Sequence, residues 1–295
     1  MRYTKPWLPI DEQAARLRER GLIGDPAEIA RILTHVSYYR LTGYLYPFKQ
    51  PDNTYMAGTT SATVWRRYVF DRQLRLLVLD AIERIEVSIR RATVDVLAEA
   101  HGPFPDFDSA MVPHLSKDRR QRLINTMTHE CQRSRTDFIA HFFEKYGQHH
   151  ALPPVWMVME VVSLGTLVTV VEGLPRNQRE AIAQNLGVRE RVLVNWLKVM
   201  LDARNICAHH GRLWNRALPK EVAVPVRLKE SWQGSNPTRV GGLLLMLRYG
   251  LTQCAPQSGW HERIESLLAA YQDVPHLPMG LASPLKEIRG WQAPA

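Results

Sequence analysis

Residues 188–216 read VRERVLVNWLKVMLDARNICAHHGRLWNR, and this stretch decides the fold. Apolar residues recur at helical spacing from just after Gly187, which predicts one helix over about 188–210. On a wheel of about 100° per residue, Val192, Trp196, Val199, Met200, Ala203, Ile206 and Cys207 gather on one wide face. A face that wide packs into a core. Lys198, Asp202, Asn205 and His209 fall on the opposite side, with Arg204 on its flank. The same wheel separates the adjacent histidines, placing His209 on the polar face and His210 on the buried one. His209 is therefore the candidate for chemistry and His210 for structure. A helix running on past Gly211 brings Arg212 and Arg216 to the side of His209.

Imidazole gives or takes a proton near neutral pH. Arginine grips a phosphate with a planar fork and keeps its charge. Together they suit cleavage of a phosphodiester in which the RNA 2′-hydroxyl is the nucleophile and no metal is needed. The competing reading of the same residues is a solvated polar face that carries an incidental histidine.

The string Arg204-Asn205-x-x-x-His209 resembles the R-x4-6-H motif of HEPN-domain ribonucleases. The longer RNICAHHGRLWNR resembles the Abi-like abortive-infection family of bacterial phage-defence proteins. Four further blocks carry the likeness: KPWLPIDEQ near the start, SYYRLTGYLYPF at 37–48, YVFDRQLRLLVLDAIERIEVSIR at 68–90 and PPVWMVMEVVSLGTL at 153–167. It runs in order from Lys5 to about Arg216 and fades afterwards. The resemblance implies an all-helical HEPN-like bundle, a homodimer, and one ribonuclease site formed where two R-x4-H motifs face each other. It also implies that Arg204 and His209 are the catalytic pair and Asn205 the polar position between them.

The chain has 295 residues, enough to bury a sizeable core. Its formal net charge of +9 favours an anionic partner, nucleic acid first. Three widely spaced cysteines, Cys131, Cys207 and Cys254, fit neither a disulfide framework nor a zinc site and suit a reducing cytoplasm. The first residues, MRYTKPWLPIDEQ, have no apolar core of a signal peptide. The run from Val155 to Val171 contains Glu160, Ser163 and Gly165, so it reads as a buried helix rather than a membrane span. No phosphate-binding glycine loop is present, and no cofactor or metal is expected.

Helix signals dominate the rest, so the fold class is all-α. Short helices are expected over about 11–20 and from Pro26 to about Val36, the second capped by Asp25. The Tyr-rich 37–48 reads either as an aromatic patch that packs the N-terminal segment or as a base-stacking surface. A long helix over about 61–100, either whole or broken near Phe70, carries Glu86 at the edge of its apolar stripe, paired with Arg90. Further helices are expected over about 117–131, 136–146, 154–172, 177–186, 238–251 and 261–271, with a proline-punctuated tail draped over the surface. Arg135-x5-His141 also fits the motif, but His141 sits among Phe138, Phe142 and Phe143 with no supporting Arg or Asn, so it is a decoy. The expected parts are an N-terminal helical segment over 1–60, a HEPN-like core over 61–230 and a C-terminal extension over 231–295.

The resulting expectation is a metal-independent endoribonuclease of phage defence, toxin-like, acting in the cytoplasm without membrane association. Arg204, His209 and Asn205 do the chemistry, and Arg212, Arg216 and Lys198 hold neighbouring RNA backbone. Leu197, Leu201 and Ala208 are the candidate dimer seam, and a neutralising RNA or protein is a candidate partner. The alternative is a non-catalytic RNA-binding or regulatory protein on the same scaffold.

Overall fold

The computed structural model describes residues 2, 4 and 6–292; Lys5, used above, lies outside them. Among the described residues there are thirteen α-helices and no strand, so the chain is all-α as its periodicity predicts. In chain order they are α1 (Ile10–Glu19), α2 (Pro26–His35), α3 (Tyr38–Leu45), α4 (Ser61–His101), α5 (Lys117–Arg133), α6 (Asp137–Tyr146) and α7 (Val155–Val161). Then follow α8 (Leu164–Gly173), α9 (Arg176–Gln184), α10 (Glu190–Ala208), α11 (Val240–Cys254), α12 (Trp260–Ala270) and α13 (Arg289–Gln292). Caps set several boundaries. Asp25 accepts from the Ala27 amide, Ser116 from Arg119 and Ser163 from Thr166, each satisfying an N–H that the helix start leaves open.

Helix α4 is continuous, which decides between the whole and the broken reading at Phe70. It contains neither Gly nor Pro over 41 residues, about 60 Å of helix. Phe70 is fully buried, so it belongs to the apolar stripe rather than interrupting it. The expected single helix over 154–172 is instead two, α7 and α8. Val162 turns to extended backbone, and Ser163 starts a new helix. The Glu130 carboxylate fixes that break by accepting from the Ser163 amide at 3.2 Å and the Thr166 hydroxyl at 2.8 Å.

The chain divides into two compact units, Met1–Arg75 with Ser266–Val274, and Leu76–Glu265 with Pro275–Ala295. In the first, Leu17, Ile29, Ile32, Leu41, Leu45 and Val64 form the core. The Tyr-rich segment is a helix whose tyrosines divide. Tyr44 is buried, whereas Tyr39 is 76% and Tyr46 68% exposed. The Tyr44 hydroxyl donates to Asp71 at 2.6 Å, and Arg75 donates to both Tyr44 (3.2 Å) and Asp71. Asp71 and Arg75 are themselves buried, one turn apart on α4.

In the second unit, α11 is buried along most of its length, from Val240 to Leu251, with Tyr249 edge-on to Trp196 of α10, while α8 packs on α10. The C-terminal segment does not drape over the surface. Met279, Leu285, Ile288 and Trp291 are buried, Trp291 lies 5.7 Å from Trp260 between ring centres, and its indole N–H donates to Glu265 at 2.7 Å. The prolines there punctuate 3₁₀ turns at Leu277–Met279 and Leu285–Glu287 that present these side chains inward. Among the described residues, no helix is long and apolar enough to cross a membrane.

Candidate functional site

The candidate site stands at the C-terminal end of α10. The helix begins at Glu190, whose carboxylate complements the positive end of the helix dipole and lies near the guanidinium groups of Arg176, Arg179 and Arg191 at 3.6–4.0 Å. Its inward face buries Leu193, Trp196, Leu197, Val199, Met200, Ala203 and Cys207. Val192 and Ile206, placed on the apolar face by the wheel, are only half-buried, and Leu197 takes the inner position. Leu197 is 1% exposed inside this chain, so it does not form a dimer seam.

Two contacts hold the helix to the following chain. The Asn195 carboxamide accepts from the Ala223 amide at 2.8 Å and donates to the Glu221 carbonyl at 3.0 Å. The Trp196 indole N–H donates to the Ala223 carbonyl at 2.8 Å.

The helix ends at Ala208, two residues before the expected boundary. His209 is its C-cap, and His210 has φ of +57°, in the left-handed region. The Gly211 amide donates to the Ile206 carbonyl at 2.7 Å and the His210 amide to Cys207 at 3.0 Å. This is the two-bond Schellman closure, in which glycine usually takes the left-handed position. Here histidine takes it, a conformation that costs a non-glycine residue about 1–2 kcal/mol. The following residue is glycine for a steric reason: a Cβ on Gly211 would stand 3.1 Å from the Ile206 carbonyl oxygen.

The expectation that His210 is buried is therefore corrected, while its place in the helix closure is structural as expected. Both histidines are exposed, because the helix stops before its periodicity reaches His210. For the same reason Arg212 and Arg216 do not continue the polar face of α10. They lie on an irregular segment, Arg212 half-buried and Arg216 exposed. Leu213 and Trp214 anchor that segment in the core, with the Trp214 indole donating to the Pro275 carbonyl at 3.0 Å.

Arg204 is exposed, and its guanidinium donates to the Asn205 carboxamide oxygen at 3.3 Å. The Asn205 carbonyl accepts from the His209 amide at 3.0 Å. Asn205 thus ties the guanidinium on one side to the helix end that carries His209 on the other.

Lys198 is placed differently. It lies six residues before Arg204, about 9 Å back along the helix and about 120° around it. Its ammonium is 2.7 Å from Glu172, which also accepts from Arg119 at 3.0 Å. Burial pushes the Glu172 carboxyl up, but the hydrogen bonds from Lys198 and Arg119 outweigh it and hold it below its ordinary value. In the sequence Glu172 is visible only as a carboxylate closing an apolar helix that also holds Glu160. Glu86 is half-buried against Arg90, as its position at the stripe edge suggested. His141 of the decoy motif is exposed on α6, beside Phe138 and Phe142.

Among the described residues, no group of three or more His, Cys, Asp or Glu side chains is placed to hold a metal ion. A family model described as Abi-like protein matches residues 31–215, more than half of the chain and all of the motif from Arg204 to His209. No curated protein and no solved structure matches.

Proposed function

The chain belongs to the Abi-like protein family, which associates it with abortive infection, and from that premise we propose that it is a metal-independent endoribonuclease of phage defence. The observation that carries this reading is the end of α10. There an exposed Arg204, bonded to Asn205, and an exposed His209 stand on a helix whose opposite face is fixed in the core. Rigid backing of this kind is what a site needs to hold reacting groups in place.

In the proposed reaction, His209 takes the proton from an RNA 2′-hydroxyl. The 2′-oxygen attacks the adjacent phosphorus, the bond to the 5′-oxygen breaks, and that oxygen leaves with a proton taken from water. The products are a 2′,3′-cyclic phosphate and a 5′-hydroxyl. Arg204 neutralises the charge that grows on the phosphoryl oxygens. Arg204 and His209 are five residues apart, about 140° round the helix, so one copy holds a phosphate from one side only. A second copy across a two-fold axis supplies the other side, two-fold pairing being the commonest symmetry. Arg212 and Arg216 bind neighbouring phosphates. The proposal includes a homodimer, a cytoplasmic setting where the RNA is, and a neutralising RNA or protein that restrains the enzyme in healthy cells.

The test uses purified wild type and His209→Ala with end-labelled RNA in EDTA. Cleavage by wild type alone, leaving 2′,3′-cyclic phosphate ends, is the expected result, with a loss of at least about 10²-fold in the variant. RNA binding by both proteins with cleavage by neither favours the non-catalytic alternative. Cleavage that survives His209→Ala places the chemistry elsewhere.

A further inference from the structure

We propose that the polar cleft between α5 and α8 is a second subsite for the RNA backbone, at the Ser163 end of α8, toward which the motif end of α10 runs; this rests on the reading of the chain as a ribonuclease. The cleft has a volume of about 300 Å³ and is lined by Arg119, Arg122, Thr126, Ser163, Thr166 and Thr169. Two guanidinium groups face one space with four hydroxyls, of which Thr166 already donates to Glu130 and Thr169 to the Gly165 carbonyl. Arginine forks and Ser/Thr hydroxyls are the groups that contact phosphate and sugar oxygens in nucleic-acid complexes.

The neighbouring carboxylates are already engaged. Glu130 accepts from the Ser163 amide and the Thr166 hydroxyl, and Glu172 accepts from Lys198 and Arg119. Arg119 still has N–H groups beyond its single bond to Glu172, since a guanidinium carries five. Arg122 is exposed, and among the described residues it makes no hydrogen bond or ion pair. Its charge is available to an incoming anion.

The position of the cleft relative to the motif follows from two contacts between α8 and α10. Lys198 meets Glu172, and the Leu201 Cδ1 stands 3.9 Å from where a Cβ on Gly165 would be. As α10 advances from 198 to 201, α8 is met seven residues earlier, so the helices run antiparallel. Arg204 and Asn205, three and four residues beyond Leu201, are the next turn of the same face. They therefore stand toward the Ser163 end of α8, about 5.4 Å further along α10. Ser163 and Gly165 also line the cleft. A strand whose scissile phosphate lies at Arg204 and His209 has this cleft within reach for an adjacent nucleotide.

The test is binding of a labelled single-stranded oligoribonucleotide to the full chain carrying His209→Ala, so that no cleavage occurs. Arg122→Ala and Thr126→Glu, both at exposed positions, are added singly. The expected result is a loss of about 3- to 10-fold in affinity for each. For Arg122→Ala, the slope of log affinity against log salt should also become shallower by about 0.7, the value of one phosphate contact on a single strand. In the otherwise wild-type chain, kcat/KM falls chiefly through KM. Wild-type affinity and slope in both variants overturn the subsite while leaving the ribonuclease reading intact. Inorganic phosphate that displaces the RNA more strongly than chloride at equal ionic strength, and does so only when Arg122 is present, overturns it in favour of a free-phosphate site. Absence of RNA binding by the parent chain sinks the ribonuclease reading itself, and the subsite with it.

Discussion

The Arg204 guanidinium donates to the side-chain oxygen of its neighbour Asn205, Nη1 to Oδ1 3.3 Å, at the exposed end of a helix otherwise fixed in the core. Consecutive helical residues point about 100° apart, so the two side chains must lean toward each other to meet. On the proposed mechanism Asn205→Ala frees the guanidinium and lowers kcat about 5-fold, the equivalent of one ordinary hydrogen bond of about 1 kcal/mol. Arg204→Ala removes the charge itself and costs about 10²–10³-fold. Arg204→Lys does not restore the rate, because an ammonium lacks the planar fork. Steady-state cleavage of a defined RNA checks all three, and an Asn205→Ala rate equal to wild type removes Asn205 from the site.

The left-handed His210 gives a stability prediction independent of activity. His210→Gly and His210→Ala both delete the imidazole, but only glycine adopts φ of +57° without strain. The glycine variant is expected to be more stable than the alanine variant by about 1 kcal/mol, measured by urea unfolding with equal m-values. Alanine equal to or better than glycine means that the Schellman closure is not as described.

The buried Tyr44–Asp71–Arg75 cluster sets alkaline stability. Burial pushes the Tyr44 hydroxyl well above its ordinary value, and the Asp71 carboxylate that it donates to adds to the rise, while Arg75 pulls the other way. A raised native value means that the folded state holds this proton more tightly than the unfolded chain. Its contribution is full below the unfolded value of about 10 and is lost as pH rises above it. Unfolding free energy should therefore decline by up to about 1.4 kcal/mol per pH unit above pH 10 from this group, a slope that Tyr44→Phe removes. Asp71→Ala, which leaves Arg75 buried without its partner, is expected to cost about 3–5 kcal/mol.

Glu172 restrains two cations near the motif helix. Glu172→Gln frees Lys198 and Arg119, raises the net charge by one, and on the RNA reading steepens the salt dependence of binding by about 0.7 in slope. The same change has an acid signature. Because the native carboxyl is held below its ordinary value, its contribution is present above about pH 4.3 and is lost as pH falls below that. The wild-type chain should show this loss in acid unfolding, and Glu172→Gln should not. An unchanged acid limb in the variant argues that the three-residue bridge does not form in solution.

Most helices were legible in the sequence because their signals are local. Asp25-Pro26, Ser116 and the apolar recurrence in α10 and α11 act within a turn or two, and those helices appear where expected, within a few residues. The errors fall where a distant group decides. The break between α7 and α8 depends on Glu130, more than thirty residues away in sequence, which captures the Ser163 amide. The C-terminal segment looked like loose coil because prolines interrupt its periodicity, yet Trp291 finds Trp260 and Glu265. At the candidate site, Arg204, Asn205 and His209 were readable as a spacing. The capture of Lys198 by Glu172 was not, since it is a meeting of two helices.

The sequence by itself determined the helical class, the family and the identity of the residues at the end of α10, because periodicity, caps and motif spacing are properties of neighbouring residues. Only the tertiary structure decided that His210 is exposed in a left-handed turn, that Leu197 is core, that Arg212 and Arg216 leave the helix, and that a polar cleft opens beside Ser163 and Gly165. The physical reason is that a helix ends, and a side chain is buried or paired, according to what packs against it.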